Sequence, residues 1–177
     1  MEKFKEFSLP IKGLKNGVHE FDFEIGDDFF ENFEGSPIQK GNFDVHVTLD
    51  KRDTFFELVF DVDGSVHTEC DRCTANIDLP FGDTHYLTVK QSLEENEDDA
   101  EVVYISPDDH VFNLAQYIYE FICLSVPYNK VYDCENDDPR PCDMEILKLI
   151  EGTPSVPEAE KPPQNPFDNL KNLFNSN

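Results

Sequence analysis

Cations are scarce in this chain. Its 177 residues hold 14 Lys and Arg against 38 Asp and Glu, for a formal net charge of -24. A surface so anionic repels phosphate backbones, which excludes a broad basic groove tracking nucleic acid. Long apolar runs are lacking too. None approaches the roughly 20 residues that span a bilayer. The opening MEKFKEFSLPIKGL is charged where a secretory leader needs an apolar stretch. The expectation is a cytoplasmic protein with no membrane partner and with reduced cysteines. An odd count of five Cys also fits poorly with a closed disulfide framework. The motifs of common catalysts are missing as well: no phosphate-cradling glycine loop, no His-Glu-x-x-His, no Gly-x-Ser-x-Gly. The histidines at 19, 46, 67, 85 and 110 are scattered. His46 and His85 sit in strand-like segments beside carboxylates and read as exposed strand residues. No nucleophile, base and orienting group assemble from the spacing, so the chain reads as a non-enzyme.

What is present is aromatic bulk. Hydrophobic residues make up 38% of the chain, with 16 Phe and 6 Tyr, enough to build a core and to argue against wholesale disorder. Residues 4–11 and 18–25 read as short strands joined by a turn at Gly13, Asn16 and Gly17. Asp27 or Asp28 is positioned to cap a short helix carrying Phe29, Phe30 and Phe33. Phe43, Val45, Val47 and Leu49 alternate with polar residues as one face of a strand.

The next segment, FFELVFDVDGSVHTEC, is ambiguous. Asp63-Gly64 is a hairpin signal. Against it, Phe56, Leu58, Phe60, Val62, Val66, Thr68 and Cys70 share a parity, and a one-residue slip would invert that whole face. The preferred reading is one long strand bent at Gly64, with the hairpin as the alternative. Residues 77–81, 85–91 and 102–105 read as three further strands, with the acidic loop EENEDDAE before the last.

In NLAQYIYEFICLSVP, the residues Leu114, Tyr117, Ile118, Phe121 and Ile122 form a core stripe. Asn113 and Gln116 offer a capping box, and Pro127 stops the helix. A second acidic loop, DCENDDPRPCD, precedes a short helix, MEILKLIEG. The expected fold is α+β: a bent antiparallel sheet or partial barrel, packed by one long helix and several short ones. Residues 1–151 would be a single domain, 152–166 a Pro-rich flexible linker, and 167–177 a short amphipathic helix. In that last helix Phe167, Leu170, Leu173 and Phe174 are the candidate binding residues; it docks on a partner or folds back on its own domain.

Two thiols and a cation share the turn CDRC, Cys70 to Cys73. Such a turn suits zinc, because two thiolates on it take adjacent tetrahedral positions. A second pair is then needed, and Cys134 and Cys142 are the candidates outside the helix, although their spacing is looser than a usual knuckle. His67 is a further possible ligand but has the opposite strand parity to Cys70. Cys123 reads as a small apolar helix residue. A redox pair would need a helix N-terminus or an uncompensated cation beside the thiols, and Asp71 offsets Arg72. Arg72 itself either binds a carboxylate across the turn or presents its guanidinium to a partner.

The order of parts resembles the YceD family, the large ribosomal RNA subunit accumulation proteins. The likeness rests on Cys70, Arg72 and Cys73 in the turn, then on Leu114, Glu120, Leu124 and Pro127 through NLAQYIYEFICLSVPY. The tail NPFDNLKNLF, with Asn165, Pro166, Phe167, Leu170 and Leu173, looks like a divergent form of that family's ending. Members often carry a denser cysteine cluster after the Pro, where this chain has Cys134 and Cys142 alone. The resemblance spans about 40–175 and implies a non-enzymatic factor for large-subunit ribosomal RNA accumulation. Joined to the charge, it implies a precursor large subunit and its basic ribosomal proteins as partners, with direct RNA contact left open. The alternative is a zinc-stabilised protein-interaction module unrelated to ribosomes. The charge alone would also serve a bland acidic protein by preventing association.

Overall fold

The computed structural model describes residues 4–92, 102–135 and 137–152. The loop EENEDDAE, the C-terminal helix with Phe167, Leu170, Leu173 and Phe174, and the expected linker apart from Gly152 lie outside these residues. The chain divides into two compact units, Met1–Cys142 and Asp143–Asn177. In the second, helix α3 (Met144–Gly152) is described; it follows Asp143, whose carboxylate accepts hydrogen bonds from the Glu145 and Ile146 N–H groups. The numbering below follows chain order, so α1 and α2 belong to the first unit.

The first unit is α+β and mostly sheet. After a 3-10 turn (Lys5–Phe7) come β1 (Ser8–Leu9), β2 (Gly17–Ile25), the one-turn helix α1 (Asp27–Phe30), β3 (Gly41–Lys51), β4 (Phe55–Glu69), β5 (Asn76–Gln91), β6 (Val102–Ile105), β7 (Phe112–Asn113) and α2 (Ala115–Ser125). Five strands form one sheet in the order β2-β3-β4-β5-β6, and β1 pairs with β7 separately. The sheet does not close into a barrel, and it is mixed, since β5 and β6 run parallel. The expectation of an antiparallel sheet therefore holds for the β2-to-β5 meander and fails at β6. Among the described residues no strand pairs with the outer edge of β2.

Strand β4 runs unbroken through Asp63-Gly64, and the inward parity wins over the turn signal. The pairing Val45↔Val62, Val47↔Phe60, Leu49↔Leu58 and Phe43↔Gly64 shows why. A hairpin at Gly64 would have put Phe60 opposite His67 and scattered the apolar face. The inner face is closed by α2 and the segments near the N-terminus. Phe121 meets Phe60 edge-on at 4.9 Å, and Ile118, Ile122 and Leu114 are fully buried. Burying each such side chain contributes roughly 1.5–3 kcal/mol. Phe4, Phe7, Phe29 and Phe33 form an aromatic cluster, and Phe33 stacks on Tyr119 of α2 at 3.9 Å.

Four local expectations need correction. Residues 77–81 and 85–91 are one strand, because Pro80 to Asp83 continue opposite Ser65 to Val62. Residues 4–11 form a turn and a two-residue strand, since Asn113 donates to Phe4 O and Ser8 Oγ and holds this segment short. The capping box is half made: Asn113 Oδ1 accepts from the Ala115 N–H at 2.9 Å, but Gln116 turns to Glu120. Asp27 does not cap α1; Gly26 stands at that position and Asp27 Oδ1 accepts from the Gly41 N–H. At the other end of α2, Val126 is extended ahead of Pro127, as the proline ring demands.

Candidate functional site

The solvent face of the sheet follows from the same alternation that builds the core. Every inward apolar residue of β2, β3 and β4 is flanked by outward ones, and the outward ones are mostly acidic. Register then aligns them across strands. Glu24 lies opposite Asp44, and Asp44 opposite Asp63. One step along, Asp22, His46 and Asp61 form a second row, ending on Thr84. Neighbouring strands are about 4.8 Å apart, so each row sets its Cβ atoms at about that spacing. A groove of about 710 Å³ runs here, lined by Glu6, Asp22, Glu24, Asp44, Asp61 and Asp63 among others.

The two rows differ in how their charge is balanced. In the second, His46 Nδ1 lies 2.7 Å from Asp22 Oδ1, and Thr84 Oγ1 donates to Asp61. In the first, among the described residues, no cation pairs with Glu24, Asp44 or Asp63. Like charges directly opposite one another destabilise a sheet. The row therefore carries a local cost that a cationic side chain laid across it would remove.

The hydrogen bond to Asp22 raises the His46 pKa, opposed by desolvation and assisted by the fields of Asp22, Glu20 and Asp61. Protonated His46 thus contributes stability fully below its ordinary value of about 6.5. That contribution is lost as pH rises through the raised folded value. An NMR titration is expected to place the His46 midpoint above 6.5, and Asp22→Asn to return it toward that value. An unchanged midpoint in the variant would assign the shift elsewhere.

The other described histidines sit apart from one another. His67 is exposed on the outer face, 2.9 Å from Asp78 and turned away from Cys70 as its parity requires. His85 departs from the exposed reading. It lies on the inner face opposite Phe60, stacks on Phe121 at 4.7 Å and meets Ser125 Oγ at 2.7 Å. Its ring serves the α2 contact. His19 Nε2 meets the Lys15 carbonyl.

At the far end of β4 the chain enters the Cys70–Cys73 turn. The Cys70 N–H bonds Ala75 O, the Thr74 N–H bonds Cys70 O, and Thr74 takes the left-handed φ of 56°. The Cys70 thiol is raised by burial. Hydrogen bonds to its sulfur from the backbone N–H groups of Tyr132, Arg72 and Cys73, and from the Cys73 thiol, outweigh this and leave its pKa lowered. Asp71 ties the turn to the 130s: its N–H donates to Lys130 O and its carboxylate accepts the Lys130 N–H. The Arg72 side chain is exposed and engaged in an interaction of its own.

Cys134 and Cys142 are joined as a disulfide, whereas Cys70, Cys73 and Cys123 are free. All five were expected to be reduced. The pair forms because the intervening loop folds back to a Cα–Cα distance of 6.3 Å, within bridging range. The expected set Cys70, Cys73, Cys134 and Cys142 is not brought together as a site: no group of three or more His, Cys, Asp or Glu among the described residues is placed to hold a metal ion. Cys123 on α2 has its thiol pKa pushed up by burial, as a packed helix residue should.

Among the described residues no helix is long and apolar enough to cross a membrane. In a comparison with protein families, residues 58–174 fit the model described as large ribosomal RNA subunit accumulation protein YceD. The matched stretch holds the cysteine turn, α2, Cys134 and Cys142, and it begins within β4. No curated protein and no solved structure matches the chain.

Proposed function

Since the chain belongs to the YceD family of large ribosomal RNA subunit accumulation proteins, we propose that it acts in the cytoplasm as a binding factor for the precursor large subunit. In this reading it performs no catalysis. The carboxylate face of β2, β3 and β4 takes a basic segment of a ribosomal protein and shields it until that protein finds its RNA. The observation that carries this reading is the row Glu24, Asp44, Asp63, in which like charges stand opposite each other without a cation among the described residues. A Lys or Arg side chain bridging two of these carboxylates relieves a repulsion the free protein must bear. The net charge of -24 extends the attraction beyond contact range and accelerates encounter with cationic polypeptide.

A carboxylate-to-amine zero-length cross-linker applied to precursor particles tests the proposal. Cross-links from Glu24, Asp44 or Asp63 to lysines of ribosomal proteins are expected. Binding of the purified full chain to those proteins should weaken steeply between about 50 and 200 mM salt, since exposed charges are screened over that range. Retention on protein-free ribosomal RNA at the higher salt, or turnover of a small molecule, would overturn it.

A further inference from the structure

The carboxylate rows occupy one end of the outer sheet face, and the other end has a different character. Past His46 and Asp61 the outward positions continue to a third row, where Glu20, Thr48, Val59 and Tyr86 stand opposite one another on β2, β3, β4 and β5. Of these four only Glu20, at the margin, is charged. Tyr86 is 66% exposed and Val59 beside it is half-buried. A mainly apolar groove of about 320 Å³ opens here, lined by Thr48, Val59, Tyr86 and Thr88 with Leu58 and Leu87 beneath. The carboxylates on its rim, Asp50 and Glu57, both face Arg52, at 2.6 and 3.9 Å. A tyrosine ring standing open beside a groove is the kind of side chain that anchors protein partners.

Spacing ties this groove to the first carboxylate row. Outward rows repeat every two residues, about 7 Å along the strands. The Tyr86 row therefore lies about 14 Å from Glu24, Asp44 and Asp63, with the His46 row between. An extended peptide shows side chains to one face with the same two-residue period. Laid along β3 and β4 with a Lys or Arg over Asp44 and Asp63, it sets the side chain four residues on over Val59 and Tyr86. An apolar side chain there leaves water for an apolar wall. A cation there would lose water and find the rim carboxylates already engaged. The position between faces His46, which is paired with Asp22 and demands no cation.

We propose that the groove beside Tyr86 is an anchor site for the same basic ribosomal segment. It selects an extended segment with an aliphatic or aromatic side chain four residues from a Lys or Arg. The inference rests on the carboxylate-face reading above and adds a sequence rule that charge does not supply. The rows draw the segment in, and the Tyr86 ring sets its register and residence time.

The test titrates the full chain with short synthetic peptides of equal charge, rich in β-branched residues to favour the extended form. One carries Lys at i and Phe at i+4, a second Phe at i+3, and a third Ser at i+4. The i+4 Phe peptide is expected to bind about tenfold more tightly than the other two. Tyr86→Ala should bind all three alike, with the salt dependence of the wild type. Tyr128→Ala, which removes another exposed ring, should keep the preference. The peptide series on the wild type needs no variant to fold, so it is decisive by itself. Equal affinity for the three peptides, or a preference that survives in Tyr86→Ala, would overturn the inference. The carboxylate reading would then still stand if binding falls with salt and with Glu24→Gln, Asp44→Asn, Asp63→Asn. Binding indifferent to both overturns that reading and this inference with it. A dimer that Tyr86→Ala dissolves, with no change in peptide preference, would assign the groove to a second copy and also overturn the proposal.

Discussion

Gly64→Ala is expected to lower the unfolding midpoint by about 6–12 °C, for a loss of about 3 kcal/mol. Gly64 has an ordinary strand backbone, so the requirement for glycine comes from its neighbour. A Cβ there would stand 2.7 Å from the Cα of Phe43, the residue paired with Gly64 on β3. That backbone cannot retreat, because β3 is hydrogen-bonded to β2 on its other side. The Phe43 ring is equally fixed, wedged against Phe30 at 5.8 Å and Phe81 at 5.3 Å. Gly26→Ala is the control. A Cβ at Gly26 meets nothing within 4 Å and its φ is -112°, so a change within about 0.5 kcal/mol is expected. Thermal unfolding of the two variants side by side checks the argument. Equal midpoints would show that β3 and β4 are not clamped at this crossing.

Neutralising the first carboxylate row should move stability and binding in opposite directions. In the variant Glu24→Gln, Asp44→Asn, Asp63→Asn the cross-strand repulsion disappears and the midpoint is expected to hold or rise. Affinity for a basic ribosomal segment is expected to fall about tenfold or more, with a shallower dependence on salt. Ordinary surface damage lowers both quantities together. The same triple substitution made at Asp50, Glu57 and Asp78 should cost less affinity. Asp50 is already paired with Arg52 at 2.6 Å, and Asp78 with His67 at 2.9 Å. Titration of both variants against one basic peptide, with melting curves, separates the first row from carboxylates elsewhere on the sheet.

The parts of the fold that could be read ahead are those set by local alternation. The stripe on α2 is buried at Leu114, Ile118, Phe121 and Ile122, and parity alone settled β4 against its own Asp-Gly turn signal. What could not be read depends on residues distant in the chain. Pro80 and Gly82 look like a break within β5, yet fifteen ladder partners from β4 carry the strand straight through them. The parallel seating of β6 leaves no mark in its four residues. The site divides the same way. CDRC was visible as a turn, but the N–H groups aimed at Cys70 include one from Tyr132, sixty-odd positions on. The acidic loops drew the eye in the sequence. The aligned rows on the sheet exist through register, which brings Glu24, Asp44 and Asp63 together from three strands.

The outer margin of β2, unpaired among the described residues, has a bearing on how the protein lives among its own copies. A bare strand flank nine residues long invites a second chain to add on and start a fibre. Here Glu20, Asp22 and Glu24 project along it. Two copies meeting flank to flank would crowd those side chains against their twins. Self-stacking is thereby discouraged.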